Sequence, residues 1–447
     1  MPPAPVDDPA PARRRRGVLR WTVAGVVVLA VALVAGLLVL RPGGLGGLGG
    51  TGEETDAADP GEPARPVTQA MLLGVSDVTR LAPRVRWRET STTDNTGGDG
   101  INTVCQTSRF ADPDGEGTLV RAFAADRAPG EPTRQTLLQT VEISQDARAA
   151  AAAYDTTLEW FAGCQEARLQ LLGSYRVSGL GQRAQLLRLR VPTPDDTRRT
   201  YVVGLARSGS LTVSTVAETT DGPPVGVPEA VATLTTAVRN LCRADASGPC
   251  PTEVRTAPVL PPPSGETPGT LAAADLPAVG RVDKPWVGTR PVPARPNNAA
   301  TTCDESNFVA AGAGSARSRT YLIPQADLPR RFGVTQTWGR FPSEKAARAF
   351  VARITRQMAG CEDDDLSAQV SQAVGRPDGF RGSSYALWRL DSEIRKGVEV
   401  GYWMGVARVG RYVTQVLLTP VAGADVDADV FEGLVARARD RLFELQG

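Results

Sequence analysis

Between Trp21 and Leu40 the chain carries no charge and a single polar side chain, and beyond residue 66 the apolar positions fall into short periodic runs. Twenty helical residues span about 30 Å, the thickness of a bilayer core, so residues 21–40 read as a transmembrane helix. Further along, β-rich runs at 103–110, 118–126 and 134–143 are separated by turn residues such as Asp112-Pro113-Asp114-Gly115. A helical stripe follows, with Tyr154, Leu158 and Phe161 on one face and Ser144 as its predicted cap. Strand runs return at 184–192, 200–207 and 211–217, the last two joined at Ser208-Gly209 as a hairpin, before a closing helix over 228–241. Leu73 to Leu81 predicts a short opening helix. The order α-βββ-α-βββ-α predicts an α+β fold, an antiparallel sheet with helices packed mainly on one face.

The same pattern occurs twice. Cys105 and Cys164 lie 59 residues apart, Cys303 and Cys361 lie 58 apart, and each second cysteine closes an Ala-Gly-Cys stretch. Gly204-Leu205-Ala206-Arg207-Ser208-Gly209 matches Gly405-Val406-Ala407-Arg408-Val409-Gly410 at an offset of 201, and Leu187-Arg188-Leu189 meets Trp388-Arg389-Leu390 at the same offset. Near Cys164 the offset is 197, which places a few extra residues in the second copy. In that copy Ser343 caps a helix striped by Phe350, Ile354 and Met358, Leu271 to Val279 opens the unit and 429–444 closes it. The spacings match no close-set metal motif, so the six cysteines read as disulfides: Cys105–Cys164, Cys303–Cys361 and, by remainder, Cys242–Cys250.

The predicted organisation is a cytoplasmic tail (1–20), a transmembrane helix (21–40), a Gly/Pro-rich stalk (41–66), a first domain (67–242), a Pro-rich linker (243–268) and a second domain (269–447). Arg13 to Arg16 and Arg20 precede the apolar run, and the positive-inside rule keeps the N-terminus cytoplasmic. A cleaved signal peptide is the rival reading, but its apolar core usually spans only about 7–15 residues. The stalk, with Gly43-Gly44-Leu45-Gly46-Gly47-Leu48-Gly49-Gly50, cannot bury a core, and no strand leads into it as a nucleotide loop requires.

Composition removes several function classes. A net charge of +1 favours no nucleic acid or other polyanion. The absence of histidine removes Ser-His-Asp and Cys-His catalysis and histidine metal sites. Only Lys284, Lys345 and Lys396 are lysines, and this arginine bias with Ala, Gly and Pro richness points to a high-GC genome such as an actinobacterium's.

The opening Leu72-Leu73…Asp77-Val78, the early Cys105, the Ala-rich helix ending Trp160-Phe161-Ala162-Gly163-Cys164, and the later strand pair and final helix together resemble the PknH-like extracellular sensor domain. The resemblance covers about 70–242 and again 270–445. It implies an antiparallel sheet with helices forming a cleft for an extracellular ligand, in a family that includes a mycobacterial serine/threonine kinase and many actinobacterial envelope proteins. The chain departs from the family in carrying one matching disulfide per unit and no kinase: the Gly-rich loop, His-Arg-Asp and Asp-Phe-Gly are absent.

Candidate ligand-binding residues are Arg207 and Arg408, which both copies keep at a strand end where they could grip phosphate or carboxylate, and Trp87 and Trp286, early in each unit in polar surroundings. An arginine at such a place also caps turns. Asp112–Gly117 lacks the later glutamate of a calcium loop, and Glu362-Asp363-Asp364-Asp365 reads as a solvated loop, so neither a metal nor a cofactor is expected. The expectation is a non-catalytic, membrane-anchored extracytoplasmic sensor or binding protein for a lipid, glycan or peptide of the cell envelope. The rivals are an envelope scaffold working through protein contacts and a hydrolase using paired carboxylates.

Overall fold

The computed structural model describes residues 65–446 apart from 84, 127–133, 196 and 377–381. Strands β1 (Trp87–Thr93), β2 (Gly117–Ala125), β3 (Arg134–Ile143), β4 (Gln170–Ser178), β5 (Arg183–Pro192), β6 (Arg198–Ser208), β7 (Leu211–Thr220) and β8 (Arg255–Val259) form one antiparallel sheet in the order β1-β2-β3-β7-β6-β5-β4-β8. The second sheet comprises β9 (Val287–Gly288), β10 (Val292–Pro293), β11 (Ser315–Leu322), β12 (Gly333–Arg340), β13 (Ala368–Arg376), β14 (Ser384–Arg395), β15 (Val398–Val409) and β16 (Tyr412–Thr419). Its order, β10-β11-β12-β16-β15-β14-β13 with β9 beside β11, repeats the first from β1 to β4. Two sheet bodies with one strand order fit two domains, and the described residues fall within one compact unit, Glu62–Gly447.

The helices are α1 (Val75–Val78), α2 (Ala147–Ala162), α3 (Val227–Leu241), α4 (Glu344–Asp364) and α5 (Ala428–Arg441). They do not share a face. On β6, Tyr201, Val203 and Leu205 join the α2 core with Tyr154, Leu158 and Phe161, whereas Val202 and Ala206 join the α3 core with Leu234 and Val238. Side chains alternate along a strand, so α2 and α3 lie on opposite faces. In the second sheet Met404 and Val406 face α4 while Trp403 and Ala407 face α5. The expected one-sided packing is thereby corrected. The unbroken apolar run Tyr201-Val202-Val203-Gly204-Leu205-Ala206 is the signature of a strand covered on both sides. Gly204 and Gly405 admit the closing helices to the sheet, because a Cβ on Gly405 would lie 2.3 Å from a Val435 methyl.

Several boundaries differ from expectation. Residues 103–110 form turns, and the strand preceding β2 is β1; β4 and its counterpart β13 extend each sheet by one strand. Asp146, not Ser144, caps α2, accepting from the N–H groups of Arg148 (2.8 Å) and Ala149 (2.7 Å). Ser343 caps α4 as expected, accepting from Ala346 N–H at 3.1 Å. The opening segment of the second unit is a single 3-10 turn, Ala273–Asp275. No helix among the described residues is long and apolar enough to cross a membrane; the 21–40 segment and the tail before it lie outside the described residues, as does nearly all of the stalk.

A buried glutamine pins each opening segment to its sheet. Gln139 on β3 accepts from Leu73 N–H at 2.8 Å, and Gln336 on β12 accepts from Leu271 N–H at 2.9 Å while donating to Gly269 C=O at 3.0 Å. Gln139→Leu leaves the Leu73 N–H without its partner, and chemical denaturation should register a loss of about 1–3 kcal/mol.

Candidate functional site

Each repeat holds a cleft between its sheet and the loop that ends at its first disulfide cysteine. In the first, Ile101, Asn102, Thr103 and Val104 form the wall, and Tyr201, Val216 and Glu218 belong to the floor of a cavity of about 410 Å³. In the second, Ala300, Thr301 and Thr302 lead into Cys303 as the wall, and Tyr402 and Leu417 belong to the floor of a cavity of about 180 Å³. Tyr201 and Tyr402, and Val216 and Leu417, are related by the same offset of 201 that aligns the Gly204 and Gly405 blocks. The two clefts are therefore one duplicated feature.

The walls are held rigidly. The expected disulfides Cys105–Cys164, Cys303–Cys361 and Cys242–Cys250 are all present, and the first two tie the wall loops to α2's C-terminal end and to α4. In the first wall, buried Asn95 donates to Gly100 C=O (3.2 Å) and Arg109 C=O (2.9 Å), and Asn102 donates back to Asn95 Oδ1 at 2.7 Å. Glu142 on β3 receives the far end of this loop, accepting from the N–H groups of Ala111 and Asp112 at 3.0 Å. In the second wall, fully buried Asp304 accepts from Thr301 N–H (2.7 Å), Ser306 N–H (3.1 Å) and Gln415 Nε2 (3.0 Å).

Burial pushes the Glu142 carboxyl above its ordinary value near 4.5, outweighing the backbone donors that favour its charge. The folded state then holds the proton more tightly than the unfolded chain. Stability falls as pH rises through and above 4.5, because the unfolded state binds fewer protons there. Glu142→Gln should flatten that slope in urea midpoints measured between acid and neutral pH.

The linings have diverged. In the first cleft, Thr136, Glu218 and Tyr201 stand opposite one another across β3, β7 and β6, and Arg199 and Glu166 complete a polar lining. Arg199 donates to Tyr201 Oη at 3.4 Å. Burial, reinforced by the nearby Glu218 and Glu166 carboxylates and opposed by Arg199, pushes the Tyr201 phenol up to about 12, so it stays a neutral donor. The lining thus offers a guanidinium, two carboxylates and the Tyr201 and Thr136 hydroxyls within one groove. The second cleft has no charged lining residue: Ala368, Leu390, Tyr402, Leu417 and Cys303 line it with Ala300, Ser392, Thr301 and Thr302.

None of the four residues singled out from sequence lines either cleft. Arg207 donates to Ala147 C=O at 3.0 Å, at the start of α2. Buried Arg408 pairs with Glu344 at the start of α4 (3.1 Å) and donates to the carbonyls of Gly410 and Gly382. In both copies the arginine clamps the start of the helix that leads to the second cysteine. Trp87 is buried in the α3-side core, and Trp286 donates to Pro277 C=O at 2.8 Å while stacking on Phe332. The lining residues Arg199, Tyr201, Glu218 and Tyr402 escaped the sequence reading, although Tyr201 and Tyr402 stand three residues before the matched glycines at the repeat offset.

No protein-family model matches the chain, and no curated protein does. Among solved structures, the extracellular domain of PknH from Mycobacterium tuberculosis is similar over 35% of this chain and 84% of that chain, at 12% identity and a TM-score of 0.25.

Proposed function

We propose that this chain is a membrane-anchored extracytoplasmic binding protein whose first-repeat cleft takes a polar envelope ligand, a glycan or peptide, without chemically altering it. The carrying observation is the duplicated cleft itself: two copies keep a rigid walled cavity at one place while its lining has diverged. Two structural packing defects would gain nothing from separate hydrogen-bonded walls. Three disulfides fit an oxidising compartment, and the apolar 21–40 run supplies the anchor in this reading. Arg199 suits a carboxylate or phosphate, Glu166 and Glu218 suit hydroxyls or amines, and Tyr201 donates to either.

Native mass spectrometry of the full chain from its own envelope tests this. The wild type should retain a polar mass, and Arg199→Ala and Tyr201→Phe should each release it with affinity falling about tenfold, the equivalent of one charge-assisted or buried hydrogen bond. A retained mass that both variants keep would sink the reading, and a bare chain with a co-purified protein would favour a scaffold. Because two carboxylates, Glu166 and Glu218, share the groove, a hydrolase is the second reading. Glycan fragments released by the wild type and not by Glu218→Gln would establish it.

A further inference from the structure

The second-repeat cleft differs from the first in a way that specifies its own occupant. We infer that it is a binding site for the apolar end of an amphiphile whose head is cationic or neutral. The inference stands apart from the ligand of the first cleft, since it uses a different cavity.

Its volume of about 180 Å³ compares with the ~150 Å³ aliphatic cavity that stays dry and accepts benzene. Water needs two to four polar partners to remain in such a space. Here Leu390, Leu417, Ala368 and the Tyr402 ring line the space beside the Thr301, Thr302 and Ser392 hydroxyls, and the Thr301 hydroxyl is already committed to Asp304 Oδ1 at 2.6 Å. The space persists because the wall cannot settle into it. Asp304, Ser306 and Gln415 form a buried hydrogen-bonded block, Asn297 donates to Gln415 Oε1 at 2.9 Å, and Cys303 is tied to α4. A mainly apolar cavity held open in this way gains free energy when an apolar guest fills it.

The surroundings extend the argument outward. Leu366, two residues before the lining Ala368, is 95% exposed, the most exposed large apolar side chain among the described residues. Glu362, Asp363, Asp364 and Asp365 run between it and the disulfide cysteine Cys361. Asp365 C=O accepts from the N–H of the lining Ala368 at 3.0 Å, so the acidic run ends beside the cavity, and its negative charge disfavours an anionic head.

The test is calorimetric titration of the full chain with n-alkylamines and n-alkyl carboxylates from propyl to decyl. Amine affinity should rise about fourfold per added methylene and level off at about six or seven carbons, when the cavity is full. Each carboxylate should bind more weakly than the amine of equal length. Leu417→Phe and Ala368→Phe fill the cavity from two sides and should each abolish the rise. Retention of Cys303–Cys361 and of the melting temperature shows that each variant is folded, and either variant meeting that check suffices. Equal binding by wild type and a folded, filled variant would overturn the site. Absence of any chain-length dependence would do the same, and equal affinity for carboxylates would overturn the assignment of the head.

Discussion

Asp275→Ala should destabilise the protein by about 3–5 kcal/mol, read as a shift in the denaturant midpoint, because it strands a buried guanidinium. The Asp275 carboxylate and the Arg441 side chain are both fully buried and meet at 2.7 Å. Arg441 also donates to Pro262 C=O at 2.8 Å and pairs with Glu444 at 2.9 Å. Its charge is held by these partners against the cost of burial, so it stays protonated at every accessible pH. The cluster lies where the repeats meet. Arg437, 3.5 Å from Asp275, donates to Leu171 C=O on β4 of the first sheet, and Ala274 is buried in the α2-side core of the first repeat. Arg441→Met alone should also destabilise, but by less, because Asp275 keeps Arg437 and the Ala272 N–H as partners. The Asp275→Leu/Arg441→Met double variant should recover part of the loss, since the fully buried pair goes together, although Arg437 and Glu444 each lose one partner. Strictly additive losses would show that the two groups are not coupled.

The second large effect is expected from Cys105→Ser/Cys164→Ser. Opening a loop of 59 residues should lower stability by about 4 kcal/mol in the chain-entropy account, and ligand retention by the first cleft should fall with it. The second effect follows from geometry, because Asn102, Thr103 and Val104 wall the cleft immediately before Cys105. Cys242→Ser/Cys250→Ser opens a bridge with a separation of only 8 that borders neither cleft, so it should leave ligand retention unchanged. Loss of ligand in both double variants alike would point to global unfolding rather than to a wall.

Local information was legible in the chain. Tyr154, Leu158 and Phe161, like Phe350, Ile354 and Met358, share helix faces because their spacing matches the helical repeat, and all six are buried. The ordered offsets of 197 and 201 identified a duplication, and the duplication paired Cys105–Cys164 and Cys303–Cys361, leaving Cys242–Cys250 by remainder. Strand β3 was read at its full extent, Arg134–Ile143, since a short β-rich run between turns depends on few distant partners.

Tertiary structure decided the rest. Whether Tyr201 or Val202 faces α2 depends on where two helices dock, and an apolar run covered on both sides has no alternation to report it. Strand β4, with Gly173 and a bulge between Leu171 and Gly173, is defined by its partners β5 and β8 rather than by its own propensity. Arg207 and Arg408 drew notice because both copies keep them, yet that repetition reflects a shared clamp on a helix start. Glu166 and Glu218 lie 52 positions apart in sequence and enter one groove only when β7 pairs with β6 and the disulfide draws the wall loop over the sheet. Sequence by itself determined the repeat, the elements with a clear period and the cysteine pairing, because these rest on spacing along the chain. The two clefts and their opposite linings came from the fold, because a cavity is a relation among residues that spacing does not encode.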